Sequence, residues 1–237
     1  VVLLWPLQTT AASFDISPIN IFYDAQKATE KMTILNTGEN DLTLQLRLYR
    51  WTQDGEGLDV YEETKDLVAF PKIVTIKKGE DRIIRIGTQS KPADVEKTYR
   101  VYLEEVPSAE PERKSNTVRF LSRVGVPVFL KPHKIATRGS IELVGMQKGI
   151  FSFKIKNAGN YHFFITGLTV RGADGAGKTV LEQELKGWYL LTGAVRTYTA
   201  EIPKEACRGL ARIEVRFKTE TETLSGQLDV TREMCSP

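Results

Sequence analysis

Short runs in which apolar and polar residues alternate, separated by turn residues, dominate this sequence. The runs lie at residues 31–35, 42–48, 73–76, 82–86, 99–106 and 118–130, and turn clusters lie at 36–38, 54–57 and 77–79. Hardly any stretch repeats its apolar residues with the helical period over eleven or more positions. Alternation of this kind is typical of antiparallel β-sandwiches. The sequence therefore predicts an all-β fold.

A weak internal repeat divides the chain into two similar parts. Ile-Leu-Asn-Thr-Gly at 34–38 returns as Ile-Lys-Asn-Ala-Gly at 155–159, and each copy joins two alternating runs. Asn and Gly tolerate positive φ, so we expect a tight turn at each copy. The repeat length of about one immunoglobulin-like sandwich, in a chain of 237 residues, predicts two such domains. Pro132 interrupts the long run that ends at Leu130, which gives domains at 13–131 and 132–237.

The first residues have the character of a secretion signal. An apolar run at 1–7 is followed by small residues, and Thr10 and Ala12 suit the positions before a cleavage site. We interpret residues 1–12 as the remainder of a signal segment, the alternative being a buried first strand. No other segment approaches the roughly 18 apolar residues of a membrane helix. The sequence therefore predicts an exported protein with no membrane span.

The two cysteines fit an oxidising compartment. Between Cys207 and Cys235 lie two alternating segments, which predict an antiparallel hairpin with Ile213 opposite Val230. In this register the cysteines are one residue out of alignment, which a single β-bulge would absorb. A cross-strand disulfide between them is the prediction, and two unpaired thiols are the alternative. Such a bond would belong outside the cytosol.

Composition argues against an enzyme and against a nucleic-acid-binding protein. The 33 basic and 30 acidic residues give a net charge of +3, far from the basic surface of a nucleic-acid-binding domain. With two His and two Cys, a multi-ligand metal site is hard to assemble. We expect His133 and His162 to be solvated or locally hydrogen-bonded, and no Gly-x-Ser-x-Gly nucleophile motif occurs. The predictions are no catalysis, no metal and no cofactor.

One stretch fits a nucleotide-binding pattern by its letters alone. Residues 172–179, Gly-Ala-Asp-Gly-Ala-Gly-Lys-Thr, match the phosphate-loop signature, in which Lys178 and Thr179 would contact phosphate and magnesium. Only 58 residues follow Thr179, too few for the parallel sheet that such a fold requires downstream. Asp174-Gly175 is also a strong hairpin-turn signal. We therefore predict a glycine-rich hairpin and no nucleotide.

Two segments together resemble one known family. Residues 99–107 read Tyr-Arg-Val-Tyr-Leu-Glu-Glu-Val-Pro, and a charged loop then leads into a long strand that closes with Phe-Leu-Lys-Pro at 129–132. Ser17-Pro18 upstream and Gly-Trp-Tyr-Leu-Leu-Thr-Gly at 187–193 downstream match in order. The chain resembles the periplasmic pilus-assembly chaperones, nearest their archaic or alternative branch. The resemblance implies two immunoglobulin-like domains set at an angle, a periplasmic location, pilin-like subunits as clients and an outer-membrane usher as recipient.

The resemblance also implies that the long strand is lent to a subunit that lacks its own final strand. Apolar residues of one parity would then enter the groove of the subunit. The donor candidates are Val118, Phe120, Val124 and Val126. The same alternation is expected if these residues face only the core of their own domain, and the sequence leaves both interpretations open.

Members of this family hold the C-terminal carboxylate of the subunit with basic residues, because a buried carboxylate needs charge-assisted hydrogen bonds. The positions that correspond to the usual basic pair carry Asn20 and Pro127 here. We take Arg100 as the substitute anchor, with Arg123 and Lys131 as further candidates.

A family feature of a different kind is an ion-pair cluster between domains, for which Glu105 and Lys131 are candidates. The leading functional hypothesis is a chaperone that caps pilin-like subunits and delivers them to the usher without catalysis. The alternative is an extracellular adhesive or structural module of two immunoglobulin-like domains.

Overall fold

The computed structural model of the protein describes residues 14–107 and 120–235. These residues form two compact units. Unit 1 holds residues 14–51, 61–91, 98–107 and 120–130, and unit 2 holds Thr52–Val60, Pro92–Lys97 and residues 131–235. Nearly all regular structure is β-strand, which confirms the predicted all-β class. The predicted signal segment, 1–12, lies outside the described residues.

The first ten strands form two sheets. They are β1 (Phe14–Ser17), β2 (Ile21–Tyr23), β3 (Thr29–Asn36), β4 (Leu42–Gln53), β5 (Asp59–Glu63), β6 (Leu67–Phe70), β7 (Ile73–Ile76), β8 (Asp81–Thr88), β9 (Lys97–Glu105) and β10 (Arg123–Leu130). One sheet has the order β1-β3-β8-β6. The other has the order β2-β10-β9-β4-β5, with β7 paired to β4.

Alternation along these strands places one set of side chains between the sheets. Met32 and Ile34 of β3 are fully buried, as are Val101 and Leu103 of β9. Each such side chain stabilises the fold by about 1.5–3 kcal/mol relative to an exposed one. The core of unit 1 therefore lies between the two sheets, and the other parity of each strand faces away from it.

The last strand of unit 1 is shorter than the predicted run of 118–130. It begins at Arg123, whereas Phe120 and Leu121 are outside any strand. The reason is the length of the neighbouring strand, since β9 ends at Glu105, whose N–H donates to the carbonyl of Ser122 at 2.9 Å. Residues before Ser122 extend beyond the end of β9.

Unit 2 is a second arrangement of sheets around its own core. Its elements are β11 (Gly139–Gln147), β12 (Ile150–Asn157), β13 (Phe163–Phe164), β14 (Gly167–Ala173), β15 (Thr179–Glu184), β16 (Tyr189–Leu190), β17 (Val195–Glu201), α1 (Lys204–Cys207), β18 (Arg212–Lys218), β19 (Thr223–Asp229) and a 3-10 helix at Arg232–Cys235. The sheets have the orders β11-β12-β17, β13-β16 and β15-β14-β18-β19. Phe151, Phe153 and Phe217 are among the fully buried side chains.

The glycine-rich segment is a hairpin, as predicted. β14 and β15 pair antiparallel on either side of it. Oδ1 of Asp174 accepts the N–H groups of Ala176 and Lys178 at 3.0 and 2.9 Å, and Gly177 has a φ of 82°. The strand is followed by a second strand rather than by the helix that a phosphate-binding loop needs at this point.

The C-terminal hairpin forms in a register different from the predicted one. Ile213 lies opposite Leu228, two residues away from the expected partner Val230. The disulfide between Cys207 and Cys235 joins α1 to the 3-10 helix, with 5.9 Å between the Cα atoms. It therefore lies beyond the ladder of β18 and β19, and the β-bulge expected from the cross-strand interpretation is not needed.

Candidate functional site

β10 has an edge that its own sheet leaves open. β2 pairs in parallel with Val128–Leu130 alone, so within the described residues no strand covers residues 123–127 on that side. An uncovered edge presents backbone donors and acceptors to a further strand, with the exception of Pro127, which has no N–H. The first half of β10 can therefore accept a strand from another chain.

The inward face of β10 belongs to the core of unit 1. Val126 is 2% exposed and lies in this core with Val128 and Leu130, and Val124 packs against it. The side chain of Val126 is thus enclosed by its own domain and cannot also fill the groove of a partner. This corrects its assignment as a donor side chain and favours the core-facing alternative at that position.

The residues that precede β10 are exposed, in contrast to the buried Val126. Phe120 is 88% exposed and Leu121 is 49% exposed, directly before the strand begins. An exposed Phe next to an open strand edge is unusual for a surface that faces only water. Val118, the remaining donor candidate, lies outside the described residues.

The outward face of the same sheet carries a row of aromatic side chains. Neighbouring ring centroids in this row lie 5.4–6.4 Å apart. We call it the aromatic row, and its members in order are Phe22, Phe129, Trp51, Tyr61, Tyr102 and Tyr49. The outward parity of β4 carries Tyr49 and Trp51, and this is the sequence signal that could have identified the row.

Arg100 lies within the aromatic row. Its guanidinium is 4.0 Å from the ring centroid of Trp51, and its Nη1 donates to the carbonyl of Gly125 at 3.3 Å. Cation–π stacking on a fully buried Trp lowers the cost of burying this charge, which is only 5% exposed. Arg100 is therefore set deep in the outward face of the sheet, beside the open half of β10.

The second anchor candidate, Arg123, lies on the same face. Its guanidinium stacks on Tyr102 at 3.9 Å, and its Nε donates to Oε1 of Glu104 at 2.9 Å. The structure thus brings Arg100 and Arg123 to the same face of the sheet, with Arg100 against Trp51 and Arg123 against Tyr102. Lys131 follows the other end of β10, eight residues after Arg123, or about 26 Å along an extended strand.

Glu105 and Lys131, the two candidates for the interdomain ion-pair cluster, are not neighbours along β10. Glu105 lies beside Ser122, and its Oε2 accepts the Ser122 N–H at 3.1 Å. The eight residues of β10 separate Ser122 from Lys131, so the two candidates lie at opposite ends of that strand, and the ion-pair cluster stays a prediction. The sequence could not show this, because the register across the loop between β9 and β10 was unknown.

A buried polar pair in unit 2 was not predicted. Glu96, whose side chain is fully buried, accepts the backbone N–H of His162 at 2.9 Å and lies 2.9 Å from its Nδ1. Burial, together with the negative charges of Glu96 and Glu220, raises the pKa of the adjacent Tyr161 to about 12. Contrary to expectation, His162 is therefore buried rather than solvated, and its partner comes from a segment 66 residues earlier rather than from nearby in the chain.

The described residues contain no group of three or more His, Cys, Asp or Glu side chains that is arranged to hold a metal ion. Within the same residues, no helix has the length and apolar character required to span a membrane.

Comparison with solved structures shows the same fold in several proteins. A chaperone–tip adhesin subunit complex of the archaic Csu pili of Acinetobacter baumannii matches at 20% identity, with 91% of this chain and 98% of the other covered and a TM-score of 0.61. The SafB chaperone complex with SafA pilin from Salmonella enterica matches at 14% identity, with coverages of 93% and 99% and a TM-score of 0.58. The CupB2 chaperone of Pseudomonas aeruginosa matches at 11% identity, with coverages of 92% and 100% and a TM-score of 0.57. These matches support the two-domain immunoglobulin-like fold.

A search of curated protein sequences finds no match. The sequence pattern of the family described as "Pili and flagellar-assembly chaperone, PapD N-terminal domain" matches residues 13–136, more than half of the chain. This chain therefore belongs to the family of pili and flagellar-assembly chaperones.

Proposed function

We propose that this chaperone captures pilin-like subunits in the periplasm by lending them the segment that leads into β10, and that it delivers them to an outer-membrane usher. One observation carries the proposal, namely the exposed Phe120 directly before a strand whose edge is open over residues 123–127. We retain 13–131 and 132–237 as the two domains of the chaperone.

In strand donation, the backbone and the side chains of the donor segment make different contacts with the subunit. The open edge of β10 would supply main-chain hydrogen bonds to a subunit, and Phe120 would fill a hydrophobic pocket in its groove. Burial of one exposed Phe stabilises a complex by about 1.5–3 kcal/mol. Val118 would be a second plug, Val124 a partial one, and Val126 would contribute its backbone alone.

A carboxylate at the end of the subunit would bind on the outward face of the sheet. Arg100 and Arg123 lie on that face, and Arg123 is the more accessible of the two, with 55% of its side chain exposed. A terminal carboxylate would bind the terminal nitrogens of Arg123, whose Nε donates to Glu104, and would approach Arg100 beside Gly125. Arg is suited to this role because its planar fork binds carboxylate with two hydrogen bonds.

No catalytic residue, metal or nucleotide has a part in this proposal. The subunit would remain incompletely folded while it is capped, and its later folding would drive release. The disulfide between Cys207 and Cys235 is consistent with an oxidising compartment such as the periplasm.

Co-purification with a pilin-like subunit from the same genome, expressed together with the tagged chaperone, tests strand donation. We expect Phe120→Asp to reduce subunit recovery at least about tenfold, because a charge cannot enter an apolar pocket and the Phe contribution is lost. Leu121→Asp is the matched control, since it alters the neighbouring side chain of opposite parity, and recovery should stay within about twofold. Circular dichroism of both variants checks folding, and undiminished capture by a folded Phe120→Asp variant would show that strand donation is wrong.

A further inference from the structure

β9 ends with two consecutive glutamates, Glu104 and Glu105. Glu105 contacts Ser122, the residue before β10, and Glu104 contacts Arg123, its first residue. Glu104 and Glu105 lie on opposite faces of the sheet because side chains alternate along a strand. Glu105 shares the parity of the buried Leu103, and Glu104 shares the parity of Tyr102 on the aromatic row. We call these two residues and their bonds to Ser122 and Arg123 the Glu104–Glu105 clamp.

Glu105 holds Ser122 through two hydrogen bonds. Its backbone N–H donates to the Ser122 carbonyl at 2.9 Å, and its carboxylate accepts the Ser122 N–H at 3.1 Å. The first bond is the last rung of the ladder between the strands. The second takes the place of the bond to the Glu105 carbonyl that a regular antiparallel pair would form, so that the N–H of Ser122 is satisfied by the Glu105 side chain where β9 ends.

Glu104 holds the next residue from the other face. Oε1 accepts from Nε of Arg123 and Oε2 from Nε of Arg47, both at 2.9 Å. The guanidinium of Arg123 also stacks on the Tyr102 ring, 3.9 Å from its centroid. Arg123 is therefore held by a charge-assisted hydrogen bond and by a cation–π contact.

The clamp itself is anchored to the middle of the sheet. Glu105 pairs with Leu44 of β4, and the N–H of Val106 donates to the Thr43 carbonyl at 2.8 Å. The end of β9 is thus bonded on both sides, so its carboxylates are presented from a fixed backbone.

We propose that the Glu104–Glu105 clamp sets the phase of the donor segment, and hence decides that Phe120 rather than Leu121 enters the groove of the subunit. This inference rests on the proposed function. Phe120 is two residues before Ser122 and therefore shares its parity, whereas Leu121 shares the parity of Arg123. A slip of one residue exchanges the two faces of a strand, so fixing Ser122 and Arg123 fixes which side chain a partner receives.

The first part of the test needs no subunit. Hydrogen–deuterium exchange of the Ser122 amide is measured in the free chaperone and in its Glu105→Ala and Glu105→Gln variants. We expect exchange to rise about tenfold in Glu105→Ala, since the N–H loses a charged acceptor, and to return to within about threefold of the parent in Glu105→Gln, which keeps a side-chain oxygen. Equal exchange in all three proteins would show that the clamp does not hold Ser122, and would overturn the inference whatever the fate of strand donation.

The second part measures phase by co-purification with the same subunit. In the parent chaperone we expect Leu121→Asp to retain at least about ten times the subunit recovery of Phe120→Asp, as argued above. In the Glu104→Ala/Glu105→Ala background, the subunit recoveries of Leu121→Asp and Phe120→Asp should differ by less than about threefold. In the Glu104→Gln/Glu105→Gln background, most of the difference between the two recoveries should return. An unchanged ratio in the alanine background overturns the phase-setting role while strand donation stands. Failure of Phe120→Asp to affect recovery in the parent would instead count against the proposed function itself.

Discussion

Asn36 and Asn157 occupy corresponding positions 121 residues apart and make the same pattern of hydrogen bonds. The Nδ2 of Asn36 donates to the carbonyls of Asn40 and Ile76 at 2.8 and 2.9 Å, and its Oδ1 accepts the N–H of Gly38 at 3.0 Å. Both Asn side chains are completely buried. Each one links the turn that follows its own strand to the end of a strand distant in the sequence.

The second copy repeats each of these bonds in unit 2. Nδ2 of Asn157 donates to the carbonyls of Tyr161 and Leu190, both at 2.9 Å, and Oδ1 accepts the N–H of Gly159 at 2.9 Å. The backbone carbonyl of Asn157 accepts the N–H of Gly193 at 3.0 Å, as that of Asn36 accepts Gly79. The sequence repeat is therefore a repeat of one structural device.

We expect Asn36→Ala to lower the free energy of unfolding by about 2–4 kcal/mol, because the buried Ile76 carbonyl is left unsatisfied, at about 1–3 kcal/mol, and the partly buried Asn40 carbonyl loses a hydrogen bond of about 0.5–1.5 kcal/mol. Asn157→Ala should act similarly on unit 2. Urea denaturation followed by fluorescence and circular dichroism measures both. Asn36→Asp is the matched control, since it keeps the acceptor for Gly38 but loses the donor, and it should recover little stability. A loss below about 0.5 kcal/mol in both alanine variants would contradict the role assigned to these side chains.

The sequence repeat identified Asn36 and Asn157, but it did not show which distant backbone groups they contact. We expected positive φ at the Asn-x-Gly turns, yet Gly159 does not have a positive φ, and the positive φ values of 73° and 76° occur at Gly79 and Gly193. These glycines are far along the chain from the Asn residues that they contact. Local turn propensity contains no information about partners at such a separation.

Strand pairing shows a similar limit. Ile213 was expected opposite Val230 and lies opposite Leu228, and both registers keep an apolar pair on the buried face. A shift of two residues preserves the pattern that the prediction used, so the pattern cannot choose between them. For the same reason alternation identified β10 as a strand but could not tell that Val126 faces its own core.

The disulfide between Cys207 and Cys235 predicts a redox-dependent stability of unit 2. It closes a separation of 28 residues, and removal of such a bond costs about 3.5 kcal/mol in the chain-entropy account. We expect Cys207→Ser/Cys235→Ser to unfold at lower urea concentration than the parent protein. Addition of a thiol reductant is the control, since it should lower the parent to the level of the double variant and leave that variant unchanged. A reductant effect of equal size on both proteins would contradict this explanation.

The raised pKa of Tyr161 predicts how its ionisation depends on its neighbours. Burial is the largest cause of the shift to about 12, followed by the negative charges of Glu96 and then Glu220. We expect Glu96→Gln to lower the Tyr161 pKa more than Glu220→Gln does, with the residual elevation due to burial. Titration of carbon-13-labelled tyrosine by NMR measures the three values. An unchanged pKa in Glu96→Gln would show that the carboxylate does not act on the phenol.

The raised pKa of Tyr161 also determines the direction in which the free energy of unfolding changes with pH. Because the folded state raises the pKa of Tyr161 above its ordinary value of 10.0, it favours the neutral phenol. This contribution is complete below about pH 10 and is lost as the pH rises towards 12. Tyr161→Phe should therefore have a flatter decline of stability over that interval than the parent protein has.

Gly125 predicts a steric limit on the outward face of β10. A Cβ at this position would lie 2.8 Å from Cε1 of Tyr102 and 3.2 Å from Cδ of Arg100. The Tyr102 ring cannot move aside freely, because Arg123 stacks on it at 3.9 Å. We therefore expect Gly125→Ala to lower the free energy of unfolding by about 1–2 kcal/mol through overpacking. Gly55→Ala is the matched control, since its Cβ would meet nothing within 4 Å, and it should change stability by less than about 0.5 kcal/mol.

A double-mutant cycle identifies the contact responsible for that loss. In a Tyr102→Ala background the ring is absent, so the added methyl of Gly125→Ala has space and its cost should largely disappear. Urea denaturation of the parent, the two single variants and the double variant gives the coupling free energy, which should be about 1 kcal/mol or more for residues in direct contact. If Gly125→Ala lowers the free energy of unfolding equally in both backgrounds, contact with the Tyr102 ring is not the cause of the lost stability. The glycine would then be required for another reason, such as the close approach of Arg100.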